Sequence, residues 1–234
     1  MTGFTVIGFG WYDPGHMLEM PLFPLNTVLF PGMPVHLHIF EERYKKMINL
    51  CIAEEKPFGI VLIKSGLEVG GGAPETHSIG CAAYIEQVQP LRDGRMDIAG
   101  IGRERIIIRE YLHDRPYLVG KVEQLDFNPE LNKDEKIKGW YLKKLLKNYL
   151  NVLATLGNME VNLEELPKDP VELAYLATTL LQVPNLQKQP MLEINDGATL
   201  ITKVYEKTRQ EISILRNMLD PAISPNQDGP FSMN

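Results

Sequence analysis

Two histidines, His36 and His38, stand two residues apart in the stretch Pro34-Val35-His36-Leu37-His38-Ile39-Phe40. Residues two apart in a strand point to the same face, so both imidazoles project together while Val35, Leu37 and Ile39 turn toward a core. Two imidazoles are half of a zinc site, which needs a third and usually a fourth donor. His77 or His113 could join them only through tertiary contact. The simpler expectation is a polar outer face that forms part of a binding surface. The other reactive groups are less well set. Cys51 and Cys81 form no C-x-x-C pair. Cys51 falls on the apolar stripe of a predicted helix and Cys81 sits among small residues in a predicted strand, so both read as buried thiols of a reducing compartment. G-x-S-x-G is absent, which leaves a serine nucleophile without its turn. Gly70-Gly71-Gly72 lacks the helix and lysine of a phosphate loop, and Gly120-Lys121 runs into Val122 instead of Ser or Thr. No catalytic residue, metal or cofactor is expected.

Charge narrows the partner. The formal net charge of the 234 residues is −6, which disfavours broad binding to nucleic acid or anionic membrane, because such binding depends on Lys and Arg neutralising phosphates. No apolar run has the roughly 18 to 20 residues of a membrane span. Lys133, Lys136, Lys138, Lys143, Lys144 and Lys147 make one predicted helix basic; a solvated face and a surface for an acidic partner are both open. Arg92, Arg95, Arg103, Arg105 and Arg109 follow a predicted hairpin, and strand alternation divides them between two faces.

The elements that must position these groups fall into two lobes. Pro21, Pro24, Pro31 and Pro34 break the opening apolar stretch into two extended pieces, 20–25 and 35–40, around a turn at Phe30-Pro31-Gly32. A helix over 41–55 follows, with Tyr44, Met47, Ile48 and Cys51 on one stripe. Strands are predicted over 58–63, 79–88, 96–101, 105–111 and 117–125. A loop spans 65–76, and Asp93-Gly94 marks a hairpin. Short strands at hairpin spacing point to a closed or nearly closed barrel.

From Lys133 the period becomes helical. Over 133–156, two neighbouring rows, Ile137/Tyr141/Leu145 and Leu142/Leu146/Tyr149/Leu153/Leu156, predict one broad apolar face. Asp169-Pro170-Val171-Glu172 carries the N-cap, the first-turn proline and the glutamate of a helix start. One further turn is predicted at 190–194 and a long helix over 196–219. The expected organisation is a tag or disordered N-terminus at 1–17, a β-rich lobe at 18–127, a helical lobe at 128–219 and a disordered tail at 220–234.

Several motifs in order carry a resemblance: Pro21-Leu22-Phe23-Pro24-Leu25, Val28-Leu29-Phe30-Pro31-Gly32, Leu37-His38-Ile39-Phe40-Glu41 with Arg43-Tyr44, Gly80-Cys81-Ala82-Ala83, Gly102-Arg103-Glu104-Arg105, Asp169-Pro170-Val171-Glu172-Leu173-Ala174 and Gln189-Pro190-Met191-Leu192-Glu193. Together they resemble the substrate-binding domain at the N-terminus of ATP-dependent Lon proteases, over about residues 19–219. The resemblance implies an α+β fold, a PUA-like β pseudo-barrel with one inserted helix followed by a C-terminal α-helical bundle. It implies a non-catalytic protein- or peptide-binding module that takes exposed or unfolded segments of other proteins in the cytoplasm. Such a module serves as an adaptor in proteolysis or quality control, with a protease or an ATPase as partner. The ATPase and Ser-Lys protease modules are expected to be absent. The alternative is a PUA-like binder of small molecules or RNA. No family motif fixes the contact residues; the outward face near the opening stretch nominates His36, His38, Arg43 and Arg103.

Overall fold

The computed structural model describes residues 17–70, 74–157 and 166–219. The readings of residues 1–16, of Gly71 and Gly72, and of the tail from Asp220 lie outside these. The described residues form two compact units. One takes the residues up to Asp126 together with Val183–Glu193; the other takes Phe127–Gln182 and the residues from Ile194 onward.

The first unit is a ring of strands. β1 (Leu18–Leu25), β2 (Pro34–Ile39), α1 (Glu42–Ala53), β3 (Phe58–Ser65), β4 (Glu75–Thr76), β5 (Ile79–Pro90), β6 (Met96–Leu112) and β7 (Val119–Gln124) follow in chain order. The hydrogen-bonded sequence β1–β7–β6–β5–β3 closes when β3 pairs back on β1. The closing pair is parallel, with Leu22 opposite Gly59 and Leu25 opposite Leu62. A parallel pair cannot be joined by a tight hairpin, and here β2 and α1 lie within the connection. Tyr44, Met47, Ile48 and Cys51 are the buried stripe of α1, in which Met47 and Ile48 contribute about 1.5–3 kcal/mol each on full burial. Met20, Leu22, Val61, Ala82, Ile106, Ile108, Leu118 and Val122 form one core cluster of the unit. The arrangement is a mostly antiparallel, irregular ring of strands.

Three local expectations are corrected. The strands predicted over 96–101 and 105–111 are one strand of 17 residues, β6. Gly102 does not interrupt it. Its N–H donates to the Met33 carbonyl at 2.9 Å and its own carbonyl accepts from Gly32 N–H at 2.8 Å. A Cβ at Gly102 would lie 2.6 Å from the Phe30 carbonyl oxygen, so glycine is there to let the turn seat against the strand. The loop predicted over 65–76 ends in the two-residue strand β4. The single turn predicted at 190–194 is a helix of 9 residues, α4 (Asn185–Glu193), with Pro190 inside it. Proline costs that helix one internal hydrogen bond, and tertiary bonds offset the loss. Gln189 Nε2 donates to the Ile79 carbonyl at 3.0 Å, Asn185 Nδ2 donates to the Asn26 carbonyl, and the Leu192 carbonyl accepts from Arg105 Nη1 at 2.8 Å.

β5 and β6 run on past the ring. Their outer halves are joined through Arg92–Gly94, where Asp93 and Gly94 have φ of 69° and 76°. Asp and Gly tolerate this left-handed region at low cost. β2 pairs along the other side of β6, from Pro34 opposite Ile101 to Ile39 opposite Met96. The result is a three-stranded arm, β2–β6–β5, in which β6 is shared with the ring.

The second unit packs α2 (Lys133–Gly157), α3 (Pro170–Leu180) and α5 (Gly197–Leu219) on one another. Leu142, Leu146 and Tyr149 of α2, Leu173 and Ala177 of α3, and Leu200, Ile201 and Val204 of α5 are buried. Asp169 caps α3 as expected, accepting from the N–H groups of Val171 and Glu172 at 2.9 Å each. The broad apolar face predicted for α2 is corrected. Only the row through Leu142, Leu146 and Tyr149 is covered, while Ile137 and Tyr141 stand 52% and 51% exposed.

Candidate functional site

β2 alternates as its sequence requires. His36 and His38 are exposed on one face, and on the other Val35 and Leu37 are half-buried and Ile39 is buried. The imidazoles do not assemble a metal centre. His38 Nδ1 lies 2.6 Å from Asp97 Oδ1, and His36 faces Ala99 in the register. Among the described residues no group of three or more His, Cys, Asp or Glu is placed to hold a metal.

What β2 offers is its backbone. Main-chain groups in an antiparallel strand face alternately toward and away from the partner. The bond from Gly102 N–H to Met33 O sets the phase. The Met33 carbonyl and the N–H and C=O groups of Val35, Leu37 and Ile39 turn toward β6, while the Met33 N–H closes the turn on Phe30 O at 3.1 Å; the N–H and C=O of His36 and His38 turn to the opposite side. Among the described residues no strand pairs on that side of β2. The open edge therefore alternates donors and acceptors over about five residues.

An apolar groove of about 150 Å³ borders β2. Phe23, Leu25, Phe40, Tyr44 and Val69 line it, with Glu41 and Glu68 at its polar margin. Phe40 and Val69 are 46% and 50% exposed. The groove has a firm wall: the Phe23 and Tyr44 rings stack with centroids 4.0 Å apart. The Arg43 guanidinium covers Tyr44 at 4.5 Å from its centroid and pairs with Glu41 at 3.0 Å. A second, wider groove of about 510 Å³ crosses the arm between His36, His38, Gln87, Gln89 and Asp97.

The four nominated residues thus divide. His36 and His38 line both grooves. Arg43 reaches the first through Glu41 and itself lines a separate cleft with His113 and Arg115. Arg103 stands on β6 beyond the end of β2, its guanidinium 4.5 Å from the Tyr84 ring centroid, and lines neither groove. Sequence reasoning missed Phe40, Val69 and Asp97. Phe40 was legible as an apolar residue just past a strand that already had its core face. Asp97 acquires a role only through the register.

The thiols stay out of chemistry. Burial pushes the Cys51 thiol up to about 12 and the fully enclosed Cys81 thiol higher still, with Glu54 and Glu104 adding to the respective rise. Both are neutral at pH 7, so neither is a ready nucleophile. Because their folded pKa values are raised, the folded chain retains protons that the unfolded chain releases. The stabilisation is complete below the unfolded thiol pKa, near 8.5, and is lost as pH rises toward about 12. Denaturant titrations between pH 8.5 and 10.5 should show stability falling by up to about 1.4 kcal/mol per pH unit for each thiol, and Cys51→Ala should flatten the slope. A slope unaffected by that substitution contradicts the assignment.

Comparison with known proteins decides the family. The family model of the ATP-dependent protease La (LON) substrate-binding domain matches residues 19–209. The chain belongs to this family. Lon protease 2 of Myxococcus xanthus is 26% identical over 208 residues, 87% of this chain and 25% of that protein. The Lon protease of Aquifex aeolicus is 27% identical over 206 residues, 84% of this chain and 25% of the other. The chain thus spans about a quarter of the length of these curated relatives, and the ATPase and protease modules of a Lon protease are not among its 234 residues. Two solved structures share its fold at 22% identity. The N-terminal domain of Mycobacterium avium complex Lon protease superposes with a TM-score of 0.62 over 84% of this chain and 98% of that one. The Lon N-terminal domain protein from Xanthomonas campestris does so at 0.60, over 80% and 96%. The α+β Lon N-terminal fold is therefore established. Among the described residues no helix is long and apolar enough to cross a membrane.

Proposed function

We propose that this Lon-type domain captures exposed, extended segments of other proteins by adding them as a strand to the open edge of β2. In this reading it acts in the cytoplasm as the recognition part of a proteolysis or quality-control system, in which a protease or ATPase does the work. The single observation that carries the reading is the unpaired edge at His36 and His38 beside an apolar groove. Strand addition takes its affinity from main-chain bonds and its selectivity from pockets for alternate side chains. An unfolded segment offers both, because its backbone is unpaired and its apolar side chains are exposed. A groove of about 150 Å³ is the size of cavity that accepts a benzene-sized group, enough for one branched aliphatic or aromatic side chain. Further along the added strand, polar side chains would meet the His36/His38 face.

The phase of the edge supplies the test. His36→Pro removes a donor that faces outward and leaves the β2–β6 ladder intact, the position in which an edge strand tolerates proline. Binding of a permanently unfolded, carboxymethylated model protein, followed by fluorescence anisotropy, should weaken at least about tenfold, the effect of roughly 1.4 kcal/mol of lost bonding. Phe40→Ala should weaken it independently. Unchanged affinity in both variants, each with a native circular dichroism spectrum, would refute edge capture.

A further inference from the structure

The second unit carries a surface that edge capture does not use. At about 100° per residue, Lys133, Lys136, Trp140, Lys144 and Lys147 of α2 fall within an arc about 80° wide, flanked by Ile137 and Tyr141. No Asp or Glu lies in that arc. It faces away from the buried row through Leu142, Leu146 and Tyr149. Trp140 is 52% exposed on it, and the Lys144 ammonium sits 3.7 Å from the Trp140 ring centroid.

The lysines of α2 sort by position. Off the arc, Lys138 donates to Thr202 Oγ1 at 3.1 Å, and Lys143 donates to the carbonyls of Leu166 and Pro167 at 3.0 and 3.1 Å. On α5, Lys203 and Lys207 are paired with Glu206 and Glu211. Among the described residues the four arc lysines enter no ion pair. A chain of net charge −6 thus gathers, around an exposed tryptophan on one helix face, four cations with no ion pair among the described residues.

We infer that this α2 face is the docking surface for an acidic amphipathic helix of a partner protein. Its carboxylates would meet Lys133, Lys136, Lys144 and Lys147, and its apolar stripe would cover Trp140, Ile137 and Tyr141. From Lys133 to Lys147 the face is about 21 Å long, or four helical turns. Helix packing fits it: the apolar side chains recur at three- and four-residue spacing, and buried tryptophans ringed by charge are the usual anchors of interfaces. Nucleic acid fits less well, because the arc holds no arginine, one face of its only indole is occupied by Lys144, and the chain as a whole repels phosphate.

The test uses a fluorescently labelled amphipathic peptide of about 21 residues, with leucine at core positions and glutamate on both flanks, and its glutamine counterpart. The glutamate peptide should bind the whole chain, weaken with added salt, and lose at least about tenfold in affinity on Trp140→Ala. The charge reversal Lys136→Glu with Lys144→Glu should abolish its binding and create binding to a peptide with lysine flanks. His36→Pro should leave all of this unchanged, which separates the two surfaces. Equal binding of the glutamine peptide, indifference to Trp140→Ala, or binding of poly(U) or anionic vesicles in place of the peptide would each overturn the inference.

Discussion

Replacing Arg105 by methionine is expected to destabilise the strand unit by about 3 kcal/mol. Arg105 is 3% exposed, and its guanidinium donates to the main-chain carbonyls of Leu192 and Asp126. Charge-assisted bonds of this kind contribute about 1.5–3 kcal/mol each, and a buried carbonyl left without a donor costs about 1–3 kcal/mol. Methionine fills the volume of the side chain and supplies no donor, so the packing gain offsets only part of the loss. The effect should also be local. α4 reaches the ring through this bond and through Gln189, so its amides should exchange with solvent much faster in the variant while those of β3 keep their order of protection. A denaturation midpoint shift equivalent to less than about 1 kcal/mol, with α4 still protected, would show that the bonds of Gln189 and Asn185 and the packing of Leu192 hold the helix without Arg105.

Gly80→Ala should cost as much from a single methyl group. A Cβ at Gly80 would lie 2.4 Å from the Ile60 carbonyl oxygen and 2.7 Å from Val61 Cγ1. The first of these is backbone of the paired strand β3, so relief requires β3 and β5 to part. Overpacking of cores usually costs about 1–3 kcal/mol; with backbone as the obstacle, about 3 kcal/mol or more is expected, and the protein should be recovered mainly as aggregate near 37 °C. Gly32→Ala is the control. Nothing lies within 4 Å of its Cβ position, but φ is +76°, so the cost should be about 1 kcal/mol of backbone strain. If the two variants melt together, close approach at Gly80 is not what the position selects for.

The ring was legible where local rules decide. Proline placement predicts β1 and β2, the three- and four-residue spacing of Tyr44, Met47, Ile48 and Cys51 predicts α1, and Asp93-Gly94 predicts the hairpin. The misreadings share a cause: a residue type whose usual meaning is local was used for a contact distant in sequence. Gly102 reads as a break but serves the turn at Phe30–Gly32. Pro190 reads as the start of a single turn but sits inside a helix that Arg105 and Gln189 hold. The α2 start shows the reverse case, a local signal not taken up. Asn132 Oδ1 accepts from Glu135 N–H at 3.0 Å, and Glu135 Oε2 accepts from Asn132 N–H at 2.7 Å, a reciprocal cap spelled in the sequence one residue before the predicted start. Ile137 and Tyr141 mark a deeper limit. Helical periodicity finds an apolar face but does not say what covers it. For the candidate site, the shared face of His36 and His38 was readable, whereas Asp97 beside His38 and the open side of β2 depend on which strands pair.

β6 is one uninterrupted strand whose outer half carries β2 and whose inner half is part of the ring. That continuity sets how the arm answers a pull. A segment lying along β2 and drawn in the strand direction would load the β2–β6 ladder in shear, with its hydrogen bonds sharing the force, and the load would pass through a single backbone into the closed ring. The same segment peeled away at right angles would break those bonds one after another. The domain is thus built to hold against traction along one axis and to let go along another.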